Sequence, residues 1–114
     1  MFESHRNFQI MGKTELYIDM DGVIANFNKA FLEGLSPNLK YPQSVPGFFV
    51  QLELIPDAWD VVKLLLSSPK FDTYFLSAPS NRNIHSYSEK ARYIELHFGH
   101  EALDRLILAT KKDA

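Results

Sequence analysis

Apolar residues along this chain fall into short runs separated by segments of helical spacing, and the alternation predicts the architecture. Leu16-Tyr17-Ile18 is apolar on both faces of a strand, as expected in a buried parallel sheet. Ala25, Phe27, Ala30, Phe31 and Leu35 then recur mostly at helical intervals, and Gly34 with Ser36-Pro37 ends that segment. Residues 36 to 47, with Pro37, Pro42, Pro46 and Gly47, predict an irregular connection. Beyond Phe48 and Phe49, Val50, Leu52 and Leu54 alternate with Gln51 and Glu53, which predicts an extended segment with one covered face.

The second half repeats the scheme. Pro56 and Asp57 suit the first turn of a helix, whose apolar face would be Ala58, Val61, Val62, Leu65 and Leu66. Thr73 to Leu76 predicts a second strand, ending at Ser77-Ala78-Pro79-Ser80. Ser86 and Glu89 have capping-box spacing at the head of a third helix. Its face would be Tyr87, Ala91, Ile94 and Phe98, with Gly99 as its C-terminal glycine. Arg105 to Ala109 predicts a third strand. Strand, helix, helix, strand, helix, strand is the order of an α/β domain with a parallel sheet and right-handed crossovers.

Composition narrows the function classes. A chain of 114 residues suffices for one domain, expected at 15–114 behind an N-terminal arm at 1–14. In that arm Phe2, Phe8, Ile10 and Met11 leave packing and fraying equally open. A net charge of −2 with interspersed signs supports no nucleic-acid interface. Cysteine is absent, which removes disulfides, thiolate metal sites and cysteine nucleophiles. No apolar run approaches the roughly 20 residues of a membrane span, and the first residues do not form a secretory signal. A cytoplasmic protein is the expectation. His5, His85, His97 and His100 show no convincing metal spacing.

Candidate chemistry begins where the first strand ends, at Asp19-Met20-Asp21-Gly22-Val23. Two acids one residue apart point to opposite sides of a pleat, but at a strand end that turns they can converge. Gly22 permits a sharp bend behind them. In a parallel sheet, ligands sit beyond the carboxyl ends of the strands. Asp19, Asp21 and Ser77 fall on that edge, Lys90 can reach it, and the acidic turn leads into a helix whose N–H groups attract anions. Two acids, a hydroxyl, an ammonium and backbone donors suit a phosphate dianion neutralised by a divalent cation, with an acid as nucleophile. Taken singly, Ser77 more often starts a turn, Lys90 is more often a surface charge, and Phe27, Phe48 and Phe49 are more often core residues than a stacking surface for a planar ligand.

Tyr17-Ile18-Asp19-Met20-Asp21-Gly22-Val23 resembles the first motif of haloacid dehalogenase-like (HAD) phosphatases. Asp19 to Phe31, Phe48 to Glu53, Phe75 to Pro79, Glu89 to Tyr93 with Phe98-Gly99, and Arg105 to Thr110 extend the likeness over about residues 15 to 113. Together these stretches resemble the 5′(3′)-deoxyribonucleotidases. The resemblance implies a three-layer Rossmann-like fold with a parallel sheet. It also implies a Mg²⁺-dependent phosphomonoesterase acting on a small phosphorylated substrate, a nucleoside monophosphate. In that picture Asp19 is the nucleophile and a Mg²⁺ ligand. Asp21 is the acid/base, with its backbone carbonyl on the metal. Ser77 and the backbone at Ala78 hold phosphate oxygens, Lys90 neutralises charge, and Phe27, Phe48 and Phe49 face the base.

The sequence departs from the resemblance twice. Residues 36 to 47 are too few for the helical cap of the relatives, so a minimal cap is expected. Relatives continue past Thr110-Lys111-Lys112-Asp113 into a strand ending in acids, and this chain stops at Ala114, truncated before that strand. The Asp19 strand is therefore expected to be an exposed apolar sheet edge, covered by a second copy in a homo-oligomer. A non-catalytic module that binds phosphate or nucleotide, or that self-associates, is the alternative to an enzyme.

Overall fold

In the computed structural model, residues 13–36 and 38–110 are described in full and residues 2–10 by backbone alone. The sequence after Thr110 and Pro37 of the irregular connection lie outside the described residues. A four-stranded sheet holds β1 (Phe2–Ile10), β2 (Lys13–Asp19), β3 (Phe71–Ser77) and β4 (Leu106–Leu108) in that spatial order. Strands β2, β3 and β4 are parallel, as the α/β pattern predicts, and β1 is antiparallel to β2.

That first strand corrects the expected edge. The N-terminal arm folds back along β2, pairing Phe2 with Ile18 and Ile10 with Lys13, with a bulge between Ser4 and Gln9. The flank of β2 away from β3 is thus hydrogen-bonded within the chain, and the argument for a second copy at that edge loses its basis. The sequence hid this strand because β1 is polar in most of its positions, and a strand paired on one side at a sheet edge needs little apolar patterning.

Among the described residues three α-helices connect the strands: α1 (Phe27–Gly34), α2 (Ala58–Ser67) and α3 (Ser86–Phe98). The β2–β3 and β3–β4 crossovers send α2 and α3 over one face of the sheet. On that face Val62 joins Ile18 and Phe75 in the core, the Thr73 hydroxyl donates to the Leu65 carbonyl, and the Phe98 ring lies 5.2 Å from that of Phe75. Glu15, Tyr17, Asp72 and Tyr74, half-buried, alternate onto the opposite face, where the two tyrosine rings stack at 5.5 Å. The fold is α/β as expected, its three parallel strands and their helices being compatible with a truncated Rossmann-like fold.

Several local expectations change. Residues 46–51 form turns, not an extended segment, because Gly47 adopts φ +91. The reversal carries Phe48, Phe49 and Leu52 together into the core, where alternation would have separated them. Helix α2 begins two residues later than the proline predicts, at Ala58, and Asp57 is its cap in the left-handed region with φ 67. Val62 is its buried residue, while Val61, assigned to the covered face, is exposed. Helix α3 buries Ser86, Lys90, Tyr93 and Ile94, a face rotated from the predicted one, and Tyr87 is exposed. Gly99 ends it as predicted, with φ 95 and its N–H on the Glu95 carbonyl.

The capping box does not form either. His85 holds the cap position. The Ser86 hydroxyl instead accepts from the Ser80 N–H at 2.9 Å and donates to the Ser80 carbonyl at 3.2 Å. Ser86 thereby closes the loop that follows the Ser77 strand, and Glu89 is left available for a contact far away in sequence.

Candidate active site

Parallel pairing of β2 with β3 sets Asp19 beside Leu76, so Asp19, Asp21 and Ser77 leave the sheet at one edge. Behind Asp19 the chain winds around a single acceptor. The Met20 carbonyl takes N–H groups from Val23, Ile24 and Ala25 at 3.3, 2.9 and 2.9 Å. Gly22, at φ 82, makes the bend and donates to the Ala25 carbonyl. Asn26 N–H and the Ile24 carbonyl then bond to Glu53 and Ile55, which ties the acidic loop to the chain ahead of α2.

This winding corrects one expectation. Backbone donors from Gly22 to Asn26 are already bonded within the protein, and Lys29 N–H is taken by the Asn26 side chain. The N-terminus of α1 is therefore not the anion cradle that the acidic turn followed by a helix implied.

Lys90 organises what remains. Its ammonium donates to Asp21 Oδ2 at 2.7 Å, to Ser77 Oγ at 2.5 Å and to the Ala78 carbonyl at 3.1 Å. The side chain is 1% exposed. A lysine is buried to this degree only with charge and hydrogen-bond partners, since desolvating an unpaired ammonium is prohibitive. The two strand ends and α3, distant in sequence, thus converge on one cation. Asp21, Ser77, Ala78 and Lys90 are brought together as the sequence indicated, and Asp19 stands at the same edge.

The other face of Asp21 is unusual. Its Oδ1 is buried without a hydrogen-bond partner, and so is the hydroxyl of Tyr93. Burial, and next the Asp21 carboxylate, push the Tyr93 phenol up to about 12, so it stays protonated at any ordinary pH. No group of three or more His, Cys, Asp or Glu side chains converges on one point among the described residues. Asp19 and Asp21 offer hard oxygen donors, and Oδ1 has a lone pair unspent. Mg²⁺ commonly takes one or two carboxylates and completes its shell with water and substrate phosphate, so this donor set fits it.

Phe27, Phe48 and Phe49 form one cluster. The Phe27 ring lies 5.6 Å from Phe48 and 6.2 Å from Phe49, and also stacks on Phe31. Phe48 and Phe49 are buried in the core. Phe48 lines a cleft of about 380 Å³ with Asn26, Ala30, Glu33, Leu39, Pro42, Val45, Gln51 and Glu53, and none of Asp19, Asp21, Ser77 and Lys90 borders it. Glu89, which the sequence pattern assigned to a cap, belongs beside the site. Its carboxylate bonds to the turn that carries Phe48 and Phe49. Only its place next to Lys90 could have pointed to this.

The chain is similar to 5′(3′)-deoxyribonucleotidases. It is 28% identical to the human cytosolic-type 5′(3′)-deoxyribonucleotidase over 126 aligned positions, covering 83% of this chain and 63% of that protein. Over the same span it is 25% identical to the mitochondrial 5′(3′)-deoxyribonucleotidases of mouse and human, covering 57% and 55% of them. The chain thus spans little more than half the length of these curated relatives. No protein-family model matches it.

Proposed function

We propose that the protein is a Mg²⁺-dependent phosphomonoesterase that removes phosphate from a nucleoside monophosphate. One observation carries the reading: a fully buried lysine joins the second acid of the DxD turn to the serine at the next strand end. Similarity to deoxyribonucleotidases supports the substrate class. Likeness to the cytosolic type supports a cytoplasmic setting.

Asp19, at the end of β2, is the nucleophile. Its carboxylate attacks phosphorus, and the bond to the nucleoside oxygen breaks as Asp21, entering the step as the carboxylic acid, gives that oxygen a proton. Asp21 then takes a proton from the water that hydrolyses the aspartyl-phosphate. Ser77 and the Ala78 backbone orient phosphate oxygens, and Lys90 offsets the negative charge gathered between Asp19, Asp21 and phosphate. Asp19 and Asp21 would hold Mg²⁺, which when bound supplies electrophilic neutralisation of the phosphate. Of the three aromatic residues assigned to the base, Phe27, half-buried, is the one left to face it, since Phe48 and Phe49 are buried in the core. Phosphomonoester hydrolysis is so slow uncatalysed that a working site has to lower the barrier by on the order of 20 kcal/mol or more.

A second reading, a non-catalytic phosphate- or nucleotide-binding module, draws on the absence of a third acidic donor among the described residues. Phosphate release from deoxynucleoside monophosphates separates the two. Release that requires Mg²⁺ and disappears in Asp19→Asn is expected. Binding of the same nucleotides without release would favour the module, and release that survives Asp19→Asn would refute the assigned nucleophile.

A further inference from the structure

Glu89 and Lys90 leave the first turn of α3 in two directions. Lys90 runs to Asp21 and Ser77. The Glu89 carboxylate divides its oxygens between two backbone donors, Oε2 accepting from Gly47 N–H at 2.7 Å and Oε1 from Phe49 N–H at 2.9 Å. Both contacts span at least 40 residues of sequence, so neither is part of a helix cap. Bonds to an ionised acceptor are stronger than neutral ones, and these hold the turn at two points. Asn83, buried, adds a third by donating to the Val45 carbonyl at 3.2 Å.

The turn returns to the site through its aromatic ring. Phe49 covers the Lys90 ammonium, with Nζ 4.8 Å from the ring centroid. Glu89, the turn, Phe49 and Lys90 therefore form a closed circuit, completed by the peptide bond between residues 89 and 90. An ammonium packed beneath a ring is screened less by water, so its attraction for Asp21 and for a phosphate is greater.

We propose that Glu89 is a positioning residue. It holds the Gly47–Phe49 turn so that Phe49 keeps the Lys90 ammonium dry and directed at Asp21 and Ser77. The idea deepens the phosphatase reading, and its kinetic readout rests on that reading. Two spectroscopic readouts do not.

Glu89→Gln preserves shape but replaces one acceptor with an NH₂ group, so one backbone N–H must face a donor. In this variant, amide exchange at Gly47 and Phe49 should quicken by about tenfold or more. The ε-methylene protons of Lys90, shifted upfield by the Phe49 ring current, should move toward their random-coil position. For phosphate release from deoxynucleoside monophosphates, kcat should fall by about tenfold or more while KM stays within about threefold. Phe49→Leu should lower kcat similarly while Gly47 stays protected from exchange. Faster exchange with unchanged Lys90 resonances would overturn the proposal, and so would unchanged exchange at both amides. A wild-type chain that releases no phosphate would end the phosphatase reading, and the two spectroscopic readouts would still decide the positioning role by themselves.

Discussion

Asp21→Asn and Lys90→Met alter opposite ends of one contact, and burial predicts unequal costs. The Lys90 side chain is 1% exposed and that of Asp21 31%. Asparagine leaves an oxygen to accept from Lys90 but removes the negative charge, so a buried ammonium loses its counter-ion. Breaking a buried pair from this side costs about 3 kcal/mol. Methionine instead removes the buried charge itself and fills much the same space. Asp21 then turns to water over its exposed part. The lost hydrogen bonds and the relieved desolvation nearly offset, for a net cost of about 0–1 kcal/mol. In the double variant no charge is left stranded, and its stability should lie close to that of Lys90→Met, giving a coupling of about 3 kcal/mol. For a chain of this size 1 kcal/mol corresponds to about 4 °C in Tm, so Asp21→Asn should melt about 12 °C lower and Lys90→Met less than about 4 °C lower. Urea and thermal unfolding followed by the fluorescence of the single tryptophan, Trp59, would measure this. EDTA should be present so that no divalent cation contributes. If Lys90→Met costs as much as Asp21→Asn, the buried ammonium is not the controlling charge and the reasoning fails.

Other outcomes follow from the same structure. Phe75→Ala, at a residue with 0% exposure whose ring meets Phe98, should cost about 4 kcal/mol in urea unfolding, while Ile107→Ala, on the open face, should cost under about 1 kcal/mol. Ser86→Ala strands the Ser80 N–H, while the Ser80 carbonyl keeps the Asn83 N–H, and should cost about 1–2 kcal/mol, read from the same unfolding curves. Two histidines should give opposite pH dependences. Burial holds His97 below its ordinary value, so its stabilisation is complete above about pH 6.5 and is lost as pH falls toward the depressed value. His100 is held above its ordinary value by the Glu95 carboxylate, so its contribution is complete below about pH 6.5 and is lost as pH rises through the raised value. Stability measured from pH 5 to 8 should flatten on the acid side in His97→Gln and on the alkaline side in His100→Gln.

Much of the parallel core was legible because its signals are local. Leu16 to Ile18, Thr73 to Leu76 and Leu106 to Leu108 are short apolar runs bounded by turn residues, and each became a strand where predicted. Asp19, Asp21 and Ser77 follow from topology, since residues after parallel strands share one edge. Where local patterns had two uses, the sequence misled. Ser86 and Glu89 match a capping box, yet both hydrogen-bonding groups are spent on distant backbone. Val50, Leu52 and Leu54 alternate like a strand, but turns that include Gly47 run to Gln51, and of the three only Leu54 makes a β-bridge, to Ala25. The exposed edge was inferred from what lies after Thr110, while the strand that pairs there comes from the polar arm before Lys13.

By itself, then, the sequence determined the α/β character, the order of the parallel strands and the residue types gathered at their carboxyl ends. All of these depend on spacing along the chain and on the handedness of crossovers. Tertiary structure alone decided that Lys90 is buried against Asp21 and Ser77, that Glu89 grips the Phe49 turn, and that the arm closes the edge of β2. Those contacts join residues distant in sequence, and their strength comes from excluding water, which no pattern of neighbours along a chain encodes.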